Sequence, residues 1–222
     1  MTLDEELAAQ RHSSYEARTP EQRQIQRETV AIVEESDLAR TALTVGDRAP
    51  DFSLPNAAGE TVALAALLAR GPVVISFYRG GWCPYCNLEL RALQARLGDI
   101  HDAGGELVAI SPEQPDSSLD TAERNSLEFP VLSDVGNGVA RKFRLVHAIN
   151  PEWVRYQLSL GIDVAARNAS AVAEVPLPAT YVVRQDGIIV FALVDADYTK
   201  RAEPEDVLRA LASEVGLPLT GR

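Results

Sequence analysis

The sequence has few cysteines, few histidines and no long apolar run. Of its 222 residues, two are cysteine and three are histidine. Its longest apolar runs, 62–69 and 188–194, are far shorter than the roughly 20 residues that a transmembrane helix needs. The acidic amino terminus also lacks the apolar core of a signal peptide. We therefore expect neither a membrane span nor a secretory signal, and a cytoplasmic location, where thiols stay reduced.

The sequence also has fewer basic than acidic residues. The 21 lysines and arginines face 32 aspartates and glutamates, which gives a formal net charge of −11. Such a surface repels phosphate groups, so nucleic acid is not expected as a partner. Anionic membrane surfaces are disfavoured for the same reason.

The remaining composition is that of a globular α/β protein. With 46% hydrophobic residues the chain is long enough for one well-buried core. Helix-like and strand-like stretches alternate along it, which favours the α/β class. We divide it into a helical arm over residues 1–43 and one domain over residues 44–222.

The arm contains a strong helix start. Thr19 is a candidate N-cap, Pro20 suits the first helical position and Gln22 completes a capping box. Four residues then fall on one helical face: Ile25, Thr29, Ile32 and Val33. We expect this helix to pack on the domain or on a second copy of the chain, so a homodimer stays open.

The domain has a clear order of elements. Strands are expected at the edge over 46–55, in buried positions over 73–78 and 107–110, over 130–132, and in a hairpin over 180–183 and 188–194. Helices are expected after residue 83, with Leu90, Leu93 and Leu97 at helical spacing, and over 119–124, 150–161 and 204–215, the last ending at Gly216. Residues 144–177 are otherwise less regular.

The segment that carries chemistry is RGGWCPYC at 79–86. It leaves a buried strand, turns at glycines and enters a helix whose first position suits Pro84. Cys83 then lies near the N-cap, where unpaired N–H groups and the helix dipole favour a thiolate. Cysteines in such places ionise well below their ordinary pKa. Cys83 is therefore the expected nucleophile.

Cys86 is the expected disulfide partner, because residues three apart share one face of a helix. A pair with this spacing in a cytosolic chain indicates a redox motif. A structural disulfide is disfavoured because cytosolic ones are rare and so short a loop restrains little entropy. Half of a zinc site would need two more ligands, and the three histidines are dispersed. A pair of inert buried thiols is the third alternative. No metal or cofactor is expected.

Pro178 precedes the predicted hairpin and is in the right chain order to face the cysteine turn. One interpretation is a cis peptide before Pro178 that exposes backbone groups to a bound substrate. The other is an ordinary proline that starts a strand. The sequence leaves both open.

Three motifs together resemble a known family. They are GxxAPDFxL at 46–54, FYRGGWCPYC at 77–86 and PATYVV at 178–183. They are similar to the peroxiredoxin-like branch of the alkyl hydroperoxide reductase/thiol-specific antioxidant (AhpC/TSA) family, over about residues 43–215. The resemblance implies a thioredoxin-like fold of peroxiredoxin type, in which helices flank a central mixed β-sheet and an extra N-terminal strand pair precedes it. It also implies peroxide reduction with recycling by a thioredoxin-type donor.

Carried over by position, Cys83 matches the peroxidatic cysteine and Cys86 a local resolving one. The sulfenic acid of Cys83 would condense with Cys86 into a disulfide. Candidates for auxiliary or substrate contacts are Arg79, Gly81, Trp82, Pro84 and Pro178.

The sequence departs from the typical family pattern in two places. Ser76 and Gly80 stand where the proline and threonine of the peroxidatic loop are expected, and residues 175–181 contain no arginine. Arg79 is a candidate substitute for that charge, and a solvated charge at a strand end is its other interpretation.

Three functions remain open. The first is a thiol peroxidase acting on hydrogen peroxide or organic hydroperoxides. The second is a thiol–disulfide oxidoreductase acting on protein or glutathione disulfides, with a thioredoxin- or glutaredoxin-type partner, because residues 82–86 also resemble the thioredoxin and glutaredoxin motifs. The third is a non-catalytic binding protein in which the disulfide switches a partner surface formed by the arm and residues 144–177.

Overall fold

The computed structural model describes residues 1–215, with side chains to residue 213. The α-helices are α1 Leu3–Glu16, α2 Pro20–Glu35, α3 Leu38–Thr41, α4 Leu64–Leu68, α5 Pro84–Ala95, α6 Leu97–Asp102, α7 Pro115–Arg124, α8 Gly138–Lys142, α9 Pro151–Ser159, α10 Val164–Arg167 and α11 Pro204–Val215. The β-strands are β1 Ser53–Pro55, β2 Thr61–Ala63, β3 Val73–Phe77, β4 Glu106–Ser111, β5 Val131–Ser133, β6 Val146–Ala148, β7 Glu174–Pro176, β8 Ala179–Val183 and β9 Ile189–Val194. Within residues 1–215, no helix has both the length and the apolar character needed to cross a membrane.

The central sheet is mixed, as expected. Its strand order is β5-β4-β3-β8-β9. Strands β3, β4 and β5 run parallel, and β8 and β9 run antiparallel to their neighbours. The antiparallel pair β1–β2 precedes this sheet, which confirms the N-terminal strand pair, and β6–β7 forms a further pair.

Strand β3 is central because its side chains are apolar on both faces. All five of its residues are buried. Ile75 and Phe77 pack into one hydrophobic cluster, whereas Val74 and the following Tyr78 pack into another. The alternation of successive side chains produces this division. Strand β3 therefore places the start of the cysteine turn between two cores.

Helix α5 follows that turn and buries Leu90 and Leu93, as expected. Leu97, however, belongs to the next helix. The backbone of Arg96 departs from helical geometry, with φ −111° and ψ 11°, so α5 and α6 are separate helices.

The arm is helical and packs on the rest of the chain. Thr19 caps α2 in a capping box with Gln22, as predicted. Thr29 and Val33 are buried, but Ile32 is 53% exposed, so the expected apolar face is narrower than its spacing suggested. The homodimer and the boundary at residue 43 stay predictions.

Two segments are more regular than the sequence suggested. Helix α7 begins at Pro115, four residues before the expected start at Leu119, because a proline at the first position and Asp116 in the first turn favour a helix there. Residues 144–177 contain β6, α9, α10 and β7. Within them Asn150 caps α9, which ends before Gly161 as predicted.

The C-terminal hairpin and helix follow the prediction. Strands β8 and β9 pair, and Gly187 has φ +84° in the turn between them, a conformation that suits glycine. Helix α11 covers the predicted range and buries Val207 and Leu211. The helix stop expected at Gly216 lies outside the described residues.

Candidate active site

The cysteine motif forms the junction between β3 and α5. Cys83 is the N-cap of α5, with φ −89° and ψ 114°, and Pro84 takes the first helical position. The Cys83 amide donates to the carbonyl of Gly80 at 3.1 Å and closes the turn. The predicted N-cap placement is therefore confirmed, and the Cys83 sulfur lies at the positive end of the helix dipole.

The two glycines of the turn are required by close contacts. Gly80 has φ +145°, and a Cβ there would lie 2.3 Å from Nε1 of Trp82. A Cβ on Gly81 would lie 2.1 Å from Oγ1 of Thr121. The Gly81 amide donates to the carboxylate of Glu113 at 2.7 Å. Residues larger than glycine would therefore force these side chains, or the turn that positions Cys83, to move.

Both thiols are free and buried, with Cys83 1% and Cys86 0% exposed. Burial by itself raises the pKa of Cys83. A hydrogen bond from the Cys86 thiol, the positive charges of Arg79 and Arg201 and the Cys86 amide outweigh burial and lower that pKa to about 6. Cys83 is consequently a thiolate at neutral pH, as an attacking sulfur must be.

The pKa of Cys86 shifts in the opposite direction. Burial, the hydrogen bond to Cys83 and the negative charge of Cys83 raise its pKa well above the ordinary value. Arg201 opposes this effect, because its Nη2 donates to the Cys86 sulfur at 3.1 Å. The pair thus contains one ionised and one protonated sulfur, the arrangement that nucleophilic attack followed by condensation needs.

Arg79 is buried, so its interpretation as a solvated charge is wrong. Its side chain is 3% exposed and packs against two aromatic rings. The guanidinium carbon is 4.9 Å from the ring centroid of Trp82 and 4.4 Å from that of Tyr198. These rings hold the guanidinium by cation–π contacts, and its charge stabilises the Cys83 thiolate.

The arm contributes to the covering of the site. Tyr198 packs edge-on against Tyr85 of the motif, with ring centroids 5.8 Å apart. Gln26 of α2 donates to the Tyr198 hydroxyl at 3.0 Å. A groove of about 470 Å³ lies between the arm and residues 197–199 and reaches Tyr85. The arm therefore contacts the residues that surround the cysteines.

Pro178 lies beside the carboxyl end of β3, from which the cysteine turn emerges. It is buried and directly precedes β8, whose first residue Ala179 pairs with Phe77 at the end of β3. Residues 1–215 contain no cis peptide bond, so the Leu177–Pro178 peptide is trans. The interpretation as a cis proline is wrong, and Pro178 is a proline that begins a strand.

Sequence reasoning missed the buried polar side chains around the cysteines. Glu89 and Arg201 form an ion pair at 2.6 Å, and Thr180 donates to Glu89 at 2.8 Å. One signal was present, since Glu89 interrupts the apolar face that Leu90 and Leu93 define on α5. Arg201 lies 115 residues after Cys86 in a polar loop, and no local pattern indicates its position.

The described residues contain no group of three or more His, Cys, Asp or Glu side chains arranged to hold a metal ion. His12, His101 and His147 are all among those residues, so the half-site that the zinc alternative needed is not completed by them. The chemistry available at the site is that of two thiols between two arginines.

Comparisons with known proteins agree with this arrangement. The AhpC/TSA family matches residues 45–192. The chain belongs to the AhpC/TSA family, a class with a thioredoxin-like fold. Two of the motifs that carried the resemblance lie in the central sheet and its cysteine turn, and the motif at 46–54 leads into β1 of the separate strand pair.

Among curated relatives, peroxiredoxin Bcp of Escherichia coli K12 is 33% identical over 101 residues, which cover 46% of this chain and 64% of the relative. The thiol-disulfide oxidoreductase ResA of Halalkalibacterium halodurans is 29% identical over 101 residues, covering 45% of this chain and 56% of the relative. The chain thus spans less than two thirds of the length of the curated relatives it matches.

Solved structures support the fold. Peroxidoxin BcpB from Mycobacterium tuberculosis matches with a TM-score of 0.61 and 22% identity, over 77% of this chain and 97% of the other. Peroxiredoxin Q of Xanthomonas campestris matches with a TM-score of 0.55 and 21% identity, over 73% and 90%. The thioredoxin-like fold of peroxiredoxin type is confirmed.

Proposed function

We propose that the protein is a thiol peroxidase that reduces hydrogen peroxide or small organic hydroperoxides. The Cys83 thiolate attacks one peroxide oxygen, the O–O bond breaks, and the departing oxygen takes up a proton to leave as water or an alcohol. Cys83 becomes a sulfenic acid. The Cys86 sulfur then attacks Cys83, the S–S bond forms, the S–O bond breaks, and the hydroxyl leaves as water with the Cys86 proton.

One observation carries this proposal. Cys83 lies at a helix N-terminus beside the buried guanidinium of Arg79, in a family whose members include peroxiredoxins. A thiolate is the species that attacks peroxide, so no base is needed to deprotonate Cys83 before the attack. The lowered pKa of Cys83 makes this species abundant at neutral pH.

Arg79 and Arg201 supply positive charge in place of the typical family residues that this sequence lacks. The typical threonine and arginine of the family are absent at Gly80 and over residues 175–181. Arg79 and Arg201 both place positive charge near the Cys83 sulfur. Positive charge at this position stabilises the departing oxygen as the O–O bond breaks.

The disulfide must then be reduced by an external dithiol. A thioredoxin-type protein suits this step, because exchange with the Cys83–Cys86 disulfide restores both thiols with two electrons. No metal or organic cofactor is needed for any step.

A stopped-flow experiment tests the proposal. Reduced protein is mixed with one equivalent of hydrogen peroxide, and Trp82 fluorescence is followed in a Trp153→Phe background so that a single indole reports. A rapid change that disappears in Cys83→Ser is the expected result. Negligible reaction of the unsubstituted protein with both hydrogen peroxide and an organic hydroperoxide would overturn the proposal.

Thiol–disulfide exchange is the second candidate. Its support is the similarity to ResA together with Gly80 at the position of the family's threonine. Fast reduction of insulin or glutathione disulfide without peroxide reactivity would favour it. Failure of both activities, with partner binding that changes on oxidation, would instead favour the non-catalytic redox switch.

A further inference from the structure

A buried arginine contacts the second cysteine, the one that does not attack peroxide. Nη2 of Arg201 donates to the Cys86 sulfur at 3.1 Å, and its Nε pairs with the Glu89 carboxylate at 2.6 Å. The side chains of Arg201 and Glu89 are each 1% exposed. The positive charge is thus placed at the Cys86 sulfur without solvent between them.

The guanidinium is fixed in this orientation. Nη1 donates to the carbonyls of Tyr198 and Lys200, at 2.5 and 2.6 Å. Glu89 is itself held by Thr180, whose hydroxyl donates at 2.8 Å. With Nη1 and Nε engaged elsewhere, Nη2 is the part of the guanidinium directed at sulfur.

Structural stability alone is a weak explanation for this ion pair. Taking two charges out of water costs several kcal/mol, and well-packed apolar side chains often serve a core equally well. A pair retained only for packing has no need to direct a donor at sulfur. The contact between Arg201 and the Cys86 sulfur therefore indicates a chemical role.

The charge on Cys83 changes during the proposed reaction. In the reduced protein its thiolate competes for nearby positive charge and makes ionisation of Cys86 unfavourable. Conversion of Cys83 to a neutral sulfenic acid removes that negative charge. The carboxyls of Glu89 and Glu113 and the phenol of Tyr78 also face Cys86, and negative charge on any of them opposes its ionisation. Arg201 supplies the compensating positive charge.

We infer that Arg201 is a catalytic residue that stabilises the Cys86 sulfur as a thiolate while it attacks the sulfenic acid of Cys83. Glu89 is a positioning residue that holds the guanidinium in place. This inference rests on the proposed peroxidase function. The Cys86 proton leaves with the hydroxyl of Cys83 as water, the S–O bond breaks and the S–S bond forms, so no further oxidant or reductant is needed.

The test separates the two chemical steps in Arg201→Gln. Formation of the sulfenic acid and formation of the disulfide are followed by stopped flow and by trapping of the sulfenic acid with dimedone. An opposite charge at this distance changes a pKa by about one to three. Disulfide formation at neutral pH should therefore slow by about tenfold or more, and the trapped sulfenic acid should accumulate. Measured at mildly alkaline pH, where Cys83 is ionised regardless, the first step should slow less than disulfide formation does, because Arg201 donates directly to the Cys86 sulfur.

Arg79→Gln is the matched control. Arg79 acts on Cys83 through its side-chain charge, whereas its effect on Cys86 is a hydrogen bond from its backbone. We expect this variant to slow the first step at neutral pH and to leave disulfide formation unchanged. Equal effects of both substitutions on both steps would contradict the inference.

Arg201→Gln leaves Glu89 unpaired and could therefore destabilise the fold. A double substitution tests whether such destabilisation explains the result. Glu89→Leu with Arg201→Met replaces the ion pair by apolar side chains, which buried cores often accept. This variant should also form the disulfide more slowly, though by a smaller factor than Arg201→Gln, because it removes the opposing carboxyl of Glu89 together with the charge of Arg201. Disulfide formation at the unsubstituted rate would overturn the role of Arg201.

A final measurement does not depend on peroxide activity. In a Cys83→Ala background, which removes the Cys83 charge as oxidation does, the pKa of Cys86 is measured by thiolate absorbance. Adding Arg201→Gln should raise that pKa. An unchanged pKa would overturn this inference even if the protein is a peroxidase. A raised pKa in a protein without peroxide reactivity would mean that the proposed function fails, while the stabilisation of the Cys86 thiolate by Arg201 stands.

Discussion

The amide of Gly81 donates a hydrogen bond of 2.7 Å to the carboxylate of Glu113, a side chain with no measurable exposure. Arg167 lies 3.7 Å from the other carboxylate oxygen and supplies a positive charge. Burial raises the pKa of Glu113, and the hydrogen bond from Gly81 opposes that shift. The backbone before Cys83 is thus held by a carboxylate from the loop after β4.

Gly81→Ala should destabilise the protein. The added Cβ would lie 2.1 Å from Oγ1 of Thr121, so the turn or helix α7 must move. Overpacking of this kind costs about 1–3 kcal/mol of unfolding free energy. Chemical denaturation followed by circular dichroism measures this loss, and the rate of reaction with peroxide should fall with it.

Gly98→Ala is the control for this substitution. Gly98 lies in α6, and a Cβ there would meet no atom within 4 Å. Alanine in a helix is favoured over glycine by roughly 0.5–1 kcal/mol, so this variant should be slightly more stable. Adding Thr121→Ala to Gly81→Ala should recover part of the loss. Equal stability of Gly81→Ala and the unsubstituted protein would show that Thr121 does not restrict the size of the residue at position 81.

The reactivity of Cys83 should depend on pH with a midpoint near its pKa of about 6. Because this pKa is lowered, the thiolate predominates above the midpoint and is lost as the pH falls through it. The alkylation rate should therefore be constant from neutral pH upwards and fall about tenfold for each pH unit well below the midpoint. Iodoacetamide labelling followed by mass spectrometry of the Cys83 peptide measures the profile.

Arg79→Gln should move that midpoint upwards by about one or more, since it removes a charge that stabilises the thiolate. Arg155→Gln is a matched control, because Arg155 is exposed on α9 and pairs with Glu152 there. Its midpoint should equal that of the unsubstituted protein. A profile that rises only near the ordinary cysteine pKa of about 8.5 would contradict the assignment of Cys83 as the ionised sulfur.

The sequence allowed prediction of the fold wherever local signals and apolar patterns agreed. The strand before the motif, the glycine turn, the N-cap at Cys83 and the proline at the first position of α5 are all encoded within residues 73–84. The buried strands along the chain were recognisable from their apolar character, and the C-terminal hairpin from its turn at Gly187. Each of these signals acts over a few residues, so one sequence is enough to recognise it.

The polar contacts of the site were not predictable in this way. Arg201 reaches Cys86 across 115 residues, and Glu113 reaches Gly81 across 32. Such contacts depend on how the loops after β4 and β9 fold over the turn, which no local pattern specifies. Arg79 was ambiguous for a related reason, because its burial depends on Tyr198, which is far from it in sequence.

The arm should be an integral part of the folded protein. Leu7 of α1 is fully buried in the cluster that also contains Cys86 and Leu90 of α5. Leu7→Ala should lower the free energy of unfolding by about 2–5 kcal/mol, the usual cost of such a cavity. Thermal and chemical unfolding measure it.

Leu158→Ala serves as the control, because Leu158 is 48% exposed on α9. It should change stability by no more than about 0.5 kcal/mol. A single transition that shifts as a whole in Leu7→Ala is expected. If that variant instead lost only the signal of the arm at low denaturant while the remaining transition kept its midpoint, the arm would be a separately folding segment.

The two cysteine-to-serine variants should lose peroxidase activity in different ways. Cys83→Ser removes the attacking sulfur and should abolish peroxide consumption. Cys86→Ser keeps the thiolate of Cys83 but cannot form the disulfide, so it should consume one equivalent of peroxide and then stop. A peroxide assay with limiting protein, in the presence of a thioredoxin-type reductant, counts the turnovers, and mass spectrometry should find sulfenic acid on Cys83. Equal, partial losses in both variants would contradict the roles assigned to the two sulfurs, because a nucleophile and a resolving thiol act in sequence and cannot substitute for each other.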